Sequence, residues 1–314
     1  MGTVLVTGGA GFIGSHLAWS LIEDGAAVRV LDNFSSGIRD RLAQMAPGVD
    51  LVEGDVRDVE ACQRACRGVD AVFHMAALVS VPQSVADPAT SEAINTGGTL
   101  NMLLAARDAG VRRFVFSSSA AVYGDTATIP TPESALPMPA SPYGVQKLTG
   151  EHYARNFCRL FGLETVALRY FNVYGPGQDP SAPYAAAIPK FLARLLRGEP
   201  AVVFGTGEQT RDFCYVGDVV AANRLAAAAP SEAAGGVYNI GGGGRISLNR
   251  LLAMIGDALD VRAPVRYEPP RDGDILHSGA DIRLAGERLG YHPTTSLECG
   301  LRETAAYYRS MRPR

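Results

Sequence analysis

Seven residues near the start of the chain, Gly8-Gly9-Ala10-Gly11-Phe12-Ile13-Gly14, constrain the fold more than any other feature. They follow a short apolar run, Val4 to Thr7, and open a segment, Ser15 to Asp24, whose apolar residues recur at helical spacing. Within a strand, turn and helix of this kind, Gly8 permits a tight turn, Gly11 lets the backbone approach a pyrophosphate and Gly14 lets helix and sheet pack closely. The helix N-terminus favours phosphate charge. Asp32 follows the second apolar run, where a carboxylate accepts hydrogen bonds from adenosine ribose hydroxyls and repels a 2′-phosphate. The pattern predicts bound NAD rather than NADP.

The same theme recurs through the first half of the chain: an apolar run, a turn, then a helical segment. The runs are Val4 to Thr7, Ala27 to Leu31, Val49 to Glu53, Ala71 to His74, Arg113 to Ser117 and Glu164 to Arg169. Helical spacing covers Ser15 to Asp24, Val59 to Arg67, Glu92 to Ala109 and Pro142 to Phe161. This alternation predicts an α/β fold, a doubly wound parallel sheet covered by helices on both faces. After Asn172 the texture changes, with turns at Gly175-Pro176-Gly177, Gly205-Thr206-Gly207 and Gly241 to Gly244. Residues 1–172 are expected to form the cofactor-binding domain and 173–314 mainly a smaller mixed α/β substrate domain. Within 211–240, Arg211 to Val219 and Gly236 to Ile240 read as strands returning to the main sheet, and Ala221 to Ala234 as a helix and its exit.

At 314 residues, 47% hydrophobic and 19% charged, the chain buries a core without disulfide or metal staples. Its net charge of −3, from 29 basic and 32 acidic residues well mixed, gives no footprint for nucleic acid or an anionic membrane. The apolar stretches fall well short of the roughly 20 residues of a membrane span. The opening run carries no basic leader or cleavage site, so a cytoplasmic protein without a signal peptide is expected. Cys62, Cys66, Cys158, Cys214 and Cys299 are odd in number and scattered, as reduced thiols are. Cys62 and Cys66 share a helix face, but with no nearby His or second Cys pair they read as half-buried thiols, and no metal is expected. His16, His74, His152, His277 and His292 also lack ligand spacing and read as packing or surface residues.

Tyr143-Gly144-Val145-Gln146-Lys147 places a phenol and an ammonium one turn apart on a helix entered through Ser141-Pro142. Such an ammonium lowers the phenol from its ordinary value of about 10 and makes it a proton acceptor near neutral pH. Ser117-Ser118-Ser119 closes the fifth run at the carboxyl edge of the sheet, where a hydroxyl reaches the same substrate oxygen. Asp55-Val56, after the third run, is expected to meet the adenine, although Gly54-Asp55 alone serves equally as a helix cap. Ala76-Ala77, after the fourth, is expected to flank the cofactor.

With these residues assembled, the chain resembles an extended short-chain dehydrogenase/reductase of the nucleotide-sugar epimerase/dehydratase group. The likeness runs through Thr7 to Leu17, Asp32-Asn33, Gly54 to Asp58, His74 to Ala77, Asn95, Phe116 to Gly124, Tyr143 to Lys147 and Arg169 to Gly175. It continues through Arg211 to Phe213, Tyr238 to Ile240 and Arg271 to Asp281. The resemblance implies a Rossmann-type first domain and a catalytic triad of Ser119, Tyr143 and Lys147, with Lys147 also holding the nicotinamide ribose. It implies NAD contacts from Gly8, Gly11, Phe12, Ile13, Gly14, Asp32, Asn33, Asp55, Val56, Ala76, Ala77, Ser117, Tyr143, Lys147 and Tyr170. For a UDP-sugar it implies Ser80, Ser119, Tyr143, Asn172, Arg211, Arg271, Asp274 and Ser278. The two arginines fall on the phosphates, where guanidinium forks suit them. Asn95 resembles a structural residue that pins a strand–helix junction. The helices Glu92 to Ala109 and Pro142 to Phe161 resemble a dimer-forming pair, with Ala105, Ala106 and Ala154 small enough for close approach, so a homodimer is expected.

Members of such a group take a hydride from C4 of the sugar and differ in the later steps. The resemblance associates dehydration with an Asp-Glu pair just after the hydroxyl residue, and decarboxylation with a Glu there. Here Ser119 is followed by Ala120-Ala121-Val122-Tyr123, without a carboxylate. That absence favours 4-epimerisation of UDP-hexoses, with Ala121 standing where many 4-epimerases carry Thr or Ser. Ser278 matches a gate position that is bulky in epimerases restricted to non-acetylated sugars, so UDP-GlcNAc and UDP-GalNAc are expected beside UDP-Glc and UDP-Gal. Two other readings stay open. One is 4-epimerisation of UDP-glucuronate, with Lys190 or Arg194 as a cation near C6. The other is a non-catalytic NAD-binding regulator, which the intact Ser119, Tyr143 and Lys147 oppose.

Overall fold

The six apolar runs fold as strands β1 (Thr3–Thr7), β2 (Ala27–Asp32), β3 (Val49–Glu53), β4 (Ala71–His74), β5 (Arg113–Ser119) and β6 (Glu164–Tyr170). The computed structural model describes residues 2–45, 48–126, 128–180, 186–270 and 275–311. Short strands follow: β7 (Val173–Tyr174), β8 (Ala201–Phe204), β9 (Thr210–Arg211), β10 (Cys214–Tyr215), β11 (Val237–Ile240), β12 (Ile246–Ser247) and β13 (Val265–Glu268). β11 joins β6, and the main sheet is parallel in the order β11-β6-β5-β4-β1-β2-β3. The remaining short strands pair as β7 with β10, β8 with β13 and β9 with β12. Chain order reverses between β1 and β4, so the turns leaving those two strands open a crevice at the carboxyl edge of the sheet.

Side chains alternate across this sheet. Val4, Val6, Val28, Val30, Phe73 and Val115 enter one core, and Leu5, Leu31, Val72, Phe114 and Phe116 enter the other. Strands buried on both faces read as continuous apolar runs and need helices on each side. The helices are α1 (Phe12–Glu23), α2 (Arg39–Ala43), α3 (Val59–Cys66), α4 (Val81–Ala86), α5 (Pro88–Glu92), α6 (Gly98–Asp108) and α7 (Pro142–Phe161). They continue as α8 (Ala187–Leu196), α9 (Val216–Ala228), α10 (Leu248–Leu259), α11 (Arg283–Leu289) and α12 (Leu297–Ser310). Leu17 and Leu21 of α1 and Val219 of α9 fill the first core, while Cys62 of α3, Met102 of α6 and Phe157 of α7 fill the second. A third core, with Ile188 and Phe191 of α8, Leu251 and Ile255 of α10 and Leu301 of α12, organises the smaller mixed α/β domain.

Four expectations change. Arg211 to Val219 does not return to the main sheet: it yields two-residue strands, and Val216 starts α9. A short apolar run does not distinguish a strand from one buried face of a helix. The stretch Glu92 to Ala109 is interrupted by a π-helical turn, Ala93–Gly97, before α6. Cys62 and Cys66 are fully rather than half buried, and burial pushes both thiols up to about 12. Ala105, Ala106 and Ala154, expected to open a helix pair to a partner, are buried inside the chain. Ala105 and Ala106 belong to the core beneath α3 and α6, so their small size serves packing within the subunit.

Candidate active site

Beyond β1 the chain turns through Gly8, whose φ of +67° lies in the left-handed region that favours glycine. A Cβ on Gly14 would stand 2.2 Å from the Gly8 carbonyl oxygen, so α1 can start against the turn only without a side chain there. Gly11 is the N-cap of α1, with no capping side chain and no acidic residue in the first turn. The N–H groups at that end, on the turn that begins with Phe12 and Ile13, suit a diphosphate. Asp32 accepts from the Ala10 N–H at 2.9 Å and the Phe34 N–H at 2.8 Å, one on each carboxylate oxygen. The remaining lone pairs suit ribose hydroxyls, and this constellation fits NAD. Asn33 donates to Asp55 at 2.7 Å. Asp55 is gripped by the Arg57 guanidinium, which holds its carboxyl at about 2. The Val56 side chain is buried, at the spot where α6 passes over it at Gly98.

The far wall of the crevice is set by Thr7 and His74. The Thr7 hydroxyl oxygen accepts from the N–H groups of Met75 at 3.2 Å and Ala76 at 3.1 Å, fixing the turn that carries Ala76 and Ala77. The Thr99 hydroxyl donates to the Asn95 carbonyl at 2.6 Å, so at 3.1 Å it accepts from His74 Nε2–H. His74 Nδ1 is then left to accept from Thr7 at 2.8 Å. Burial, helped by the positive Lys147, pushes His74 down to about 3 and keeps it neutral. Asn95 holds both backbone groups of Leu78, at 2.8 and 3.0 Å, which is the strand–helix pin expected of it.

α7 is seated from several sides. Ser141 caps it, accepting from Gly144 N–H at 3.2 Å, with Pro142 in the first turn. The Tyr143 N–H donates to buried Ser84 at 3.2 Å, and Gln146 accepts from Asn95 at 2.8 Å and Ser91 at 2.7 Å. Lys147 Nζ donates to the Ser117 carbonyl at 2.7 Å and lies 5.9 Å from the centre of the Tyr143 ring. Burial lowers Lys147 to about 8, with Glu151 acting the other way. Tyr143 is pushed up by burial while the Ser119 hydroxyl pulls it down. The direction is opposite to the lowering expected from the ammonium, with enclosure of the ring the larger influence. Ser119 Oγ also accepts from the Ala121 N–H at 3.1 Å. Tyr170, beside Ser117, gives its hydroxyl proton to Asn223 at 2.9 Å.

Of the residues expected to bind the nucleotide-sugar, residues 210–212 gather Asn172, Arg211 and Ser278. Asn172 donates to the Asp212 carbonyl at 2.8 Å, and Ser278 N–H donates to the Thr210 carbonyl at 3.0 Å. Arg211 donates to the carbonyls of Thr210 at 2.9 Å and Leu276 at 3.2 Å. Ser80 caps α4, accepting from Gln83 N–H at 3.2 Å. Arg271 and Asp274 lie outside the described residues. Asp212 was not anticipated: its buried carboxylate accepts from Gly242 at 2.7 Å and Ala280 at 3.1 Å, and burial raises it to about 6. Ser84, Gln146 and Asn223 escaped notice too, since nothing in their spacing marks them and only tertiary contact gives them a role. Among the described residues no group of three or more His, Cys, Asp or Glu is placed to hold a metal, and no helix is long and apolar enough to cross a membrane.

The sequence model of the NAD dependent epimerase/dehydratase family matches residues 4–241. A solved UDP-N-acetylglucosamine 4-epimerase from Methanobrevibacter ruminantium M1, in complex with UDP-N-acetylmuramic acid, is 41% identical with a TM-score of 0.94, covering 99% of each chain. A UDP-glucose 4-epimerase from Thermotoga maritima with UDP-glucose is 42% identical with a TM-score of 0.92, covering 98% of this chain and 99% of the other. The UDP-glucose 4-epimerase of Thermus thermophilus in complex with NAD is 37% identical with a TM-score of 0.90, covering 99% and 100%. The chain belongs to the NAD dependent epimerase/dehydratase family, within the extended short-chain dehydrogenase/reductases, and NAD is its cofactor.

Proposed function

We propose that this NAD-dependent nucleotide-sugar enzyme is a 4-epimerase of UDP-hexoses, acting on UDP-Glc/UDP-Gal and also on UDP-GlcNAc/UDP-GalNAc. One observation carries the reading: the 3₁₀ turn Ala120–Val122 that follows Ser119 offers no carboxylate. Glu151, further along the helix of Tyr143 and Lys147, is bound to Arg169 at 2.7 Å. Loss of water from C5 and C6 calls for added acid–base groups, whereas inversion at C4 does not.

NAD, when bound, supplies an acceptor that takes the C4 hydride and gives it back. Tyr143 removes the 4-hydroxyl proton and later restores it, with Ser119 hydrogen-bonded to the same oxygen. Lys147, anchored on the Ser117 carbonyl, holds the nicotinamide ribose. The helix end at Gly11 to Gly14 carries the cofactor diphosphate, and Asp32 its adenosine ribose. Asn33, Asp55, Val56, Ala76, Ala77, Ser117 and Tyr170 border the same ligand. Arg211 and Arg271 clamp the UDP phosphates, with Asn172, Asp274 and Ser80 completing the grip. A sugar that must present both faces needs a firm hold on its nucleotide and a loose one on its ring. Ser278 leaves room for an N-acetyl group. Residues 1–172, with β11, serve the cofactor, and 173–314 mainly the nucleotide-sugar. Arg194 turns to the Pro200 carbonyl at 2.7 Å, and 4-epimerisation of UDP-glucuronate, with Lys190 or Arg194 near C6, is the second reading.

A cytoplasmic homodimer joined through α6 and α7 completes the proposal, with Val145, Leu160 and Phe161 exposed on α7; a monomeric mass in solution refutes it. Incubating the purified protein, without added cofactor, with UDP-Gal, UDP-GalNAc and UDP-GlcA separately, and following the anomeric protons by NMR, tests the activity. Conversion of the first two supports the reading. Conversion of UDP-GlcA alone replaces it with the uronate enzyme, and no reaction even after NAD is supplied overturns it. Ser278→Tyr should cripple turnover of the acetylated sugars selectively, and equal loss on both classes removes the gate.

A further inference from the structure

Glu151 lies one helical turn beyond Lys147 on α7 and is 4% exposed. Its carboxylate takes both forks of Arg169, at 2.8 and 2.7 Å, and a hydrogen bond from Ser118 at 2.5 Å. Ser118 and Arg169 are register partners across β5 and β6, so one carboxylate fastens the helix to two strands at once. The three serines at the end of β5 divide the work. The Ser117 carbonyl holds the Lys147 ammonium, the Ser118 hydroxyl holds Glu151, and the Ser119 hydroxyl meets Tyr143. Arg169 lies 4.6 Å over the Tyr123 ring, and its Nη1 is buried without a hydrogen-bond partner, so Glu151 is its counter-charge.

We propose that Glu151 is a positioning residue for Lys147: seated between Ser118 and Arg169, it sets the height of α7 on the sheet and places the negative end of a buried ion pair one turn from the ammonium, keeping that ammonium charged inside the protein. The proposal rests on the reading of Tyr143 and Lys147 as the working pair. The charged and titratable groups that bear on Lys147 are Tyr143 and Glu151 on α7 and His74 on β4, with Arg169 and Tyr170 on the neighbouring strand β6. β5 contributes the Ser117 carbonyl and the Phe116 ring, at 5.1 Å. A lysine held by one carbonyl in such surroundings loses its proton readily unless a negative charge is near. Glu151 stands one turn from Lys147 on the same helix, and its charge favours the charged lysine.

The chain contains two lysines, Lys147 and Lys190. In a Lys190→Arg background, ¹³Cε-lysine labelling of the NAD-loaded enzyme leaves one side-chain signal, whose pH titration reads Lys147 directly and without turnover. Glu151→Gln removes the negative charge and leaves Arg169 facing the ammonium, so the midpoint should fall by about one pH unit or more. Glu151→Gln with Arg169→Gln removes both charges, and its midpoint should lie between those of the parent and the single variant. That order supports the proposal; midpoints equal to the parent in variants that still melt cooperatively, or a double variant below the single one, overturn it. If the single variant does not fold, the double variant decides alone: a lowered midpoint supports the proposal and an unchanged one overturns it. UDP-Gal turnover by the parent is followed in parallel, so that failure of the epimerase reading shows as an inactive parent with the titration order intact.

Discussion

Lowering the pH from about 7.5 to about 5 should weaken the fold by about 2 kcal/mol through His74 alone. An unfolded histidine titrates near 6.5, whereas burial, together with the charge on Lys147, pushes this one down to about 3. The folded value lies below the unfolded one, so the contribution is complete above about pH 6.5 and is lost as the pH falls towards the folded value. Each pH unit below the unfolded value removes about 1.4 kcal/mol, and about one and a half units separate it from pH 5. The structural cause is specific: Nδ1 already accepts the Thr7 hydroxyl proton, so a proton there removes an acceptor and places a charge in a sealed site. Urea unfolding of the wild type and of His74→Gln, each at both pH values, isolates the effect. The variant carries its own penalty at both, and only the difference between the two pH dependences counts. Parallel dependences, or a His74 Cε1 proton signal titrating near its ordinary value, would refute the reasoning. Because Thr7 also holds the Ala76 N–H, NAD retention should decline over the same range.

Three further outcomes are expected at the site. Gly14→Ala puts a Cβ 2.2 Å from the Gly8 oxygen, so the turn must shift at a cost on the order of 1–3 kcal/mol and copurified NAD should disappear. A Gly14→Ala protein that keeps its NAD and its melting temperature contradicts this. Tyr143→Phe keeps the ring in its buried slot and removes the proposed proton acceptor, so turnover should fall by about 10²–10⁴ with NAD content unchanged. Near wild-type turnover would remove Tyr143 from the chemistry. Asp212→Asn leaves one of the Gly242 and Ala280 N–H groups facing a donor, which should loosen Arg211 and Ser278 and raise KM for UDP-Gal several-fold with little change in kcat. A fall in kcat at constant KM would point elsewhere.

The parts of this molecule legible in the sequence are those where one local rule has no competitor. Val4 to Thr7 and Val28 to Leu31 read as strands because both their faces are buried. Gly8 is favoured by a positive φ and by the Ala76 backbone 2.9 Å from where a Cβ would stand, and Gly14 by a 2.2 Å approach to the Gly8 oxygen. The features that escaped the sequence are settled by partners far along the chain. Val216 to Val219 continues a run that reads as a strand, yet it opens a helix whose Val219 enters the core with α1. Ala105 and Ala106 are small whichever way they face, and only the fold shows that they face inward. The Tyr143–Lys147 spacing was legible, but the balance of charge around it was not. Burial of the phenol and the carbonyl that draws off the ammonium belong to Ser117 and the sheet, which no helical spacing reveals.

The division proposed at residue 172 is chemical more than mechanical, because residues beyond it hold the proposed site of the first half in place. Tyr123, just past Ser119, donates to Asn239 of β11 at 2.7 Å. Asn239 in turn donates to the Thr131 carbonyl at 2.8 Å and the Asp281 carbonyl at 3.2 Å. The Thr131 N–H donates to the Gly279 carbonyl at 2.8 Å, next to Ser278. A buried polar chain therefore runs from Arg169, stacked on Tyr123, to the segment proposed to gate the sugar. Each link is a buried donor or acceptor that would lose its partner if the halves separated, at about 1–3 kcal/mol apiece. The proposed cofactor wall and the proposed sugar gate are thus held in one frame through β11, so on the epimerase reading freedom for a sugar to turn would come from space inside the crevice rather than from opening of the two halves.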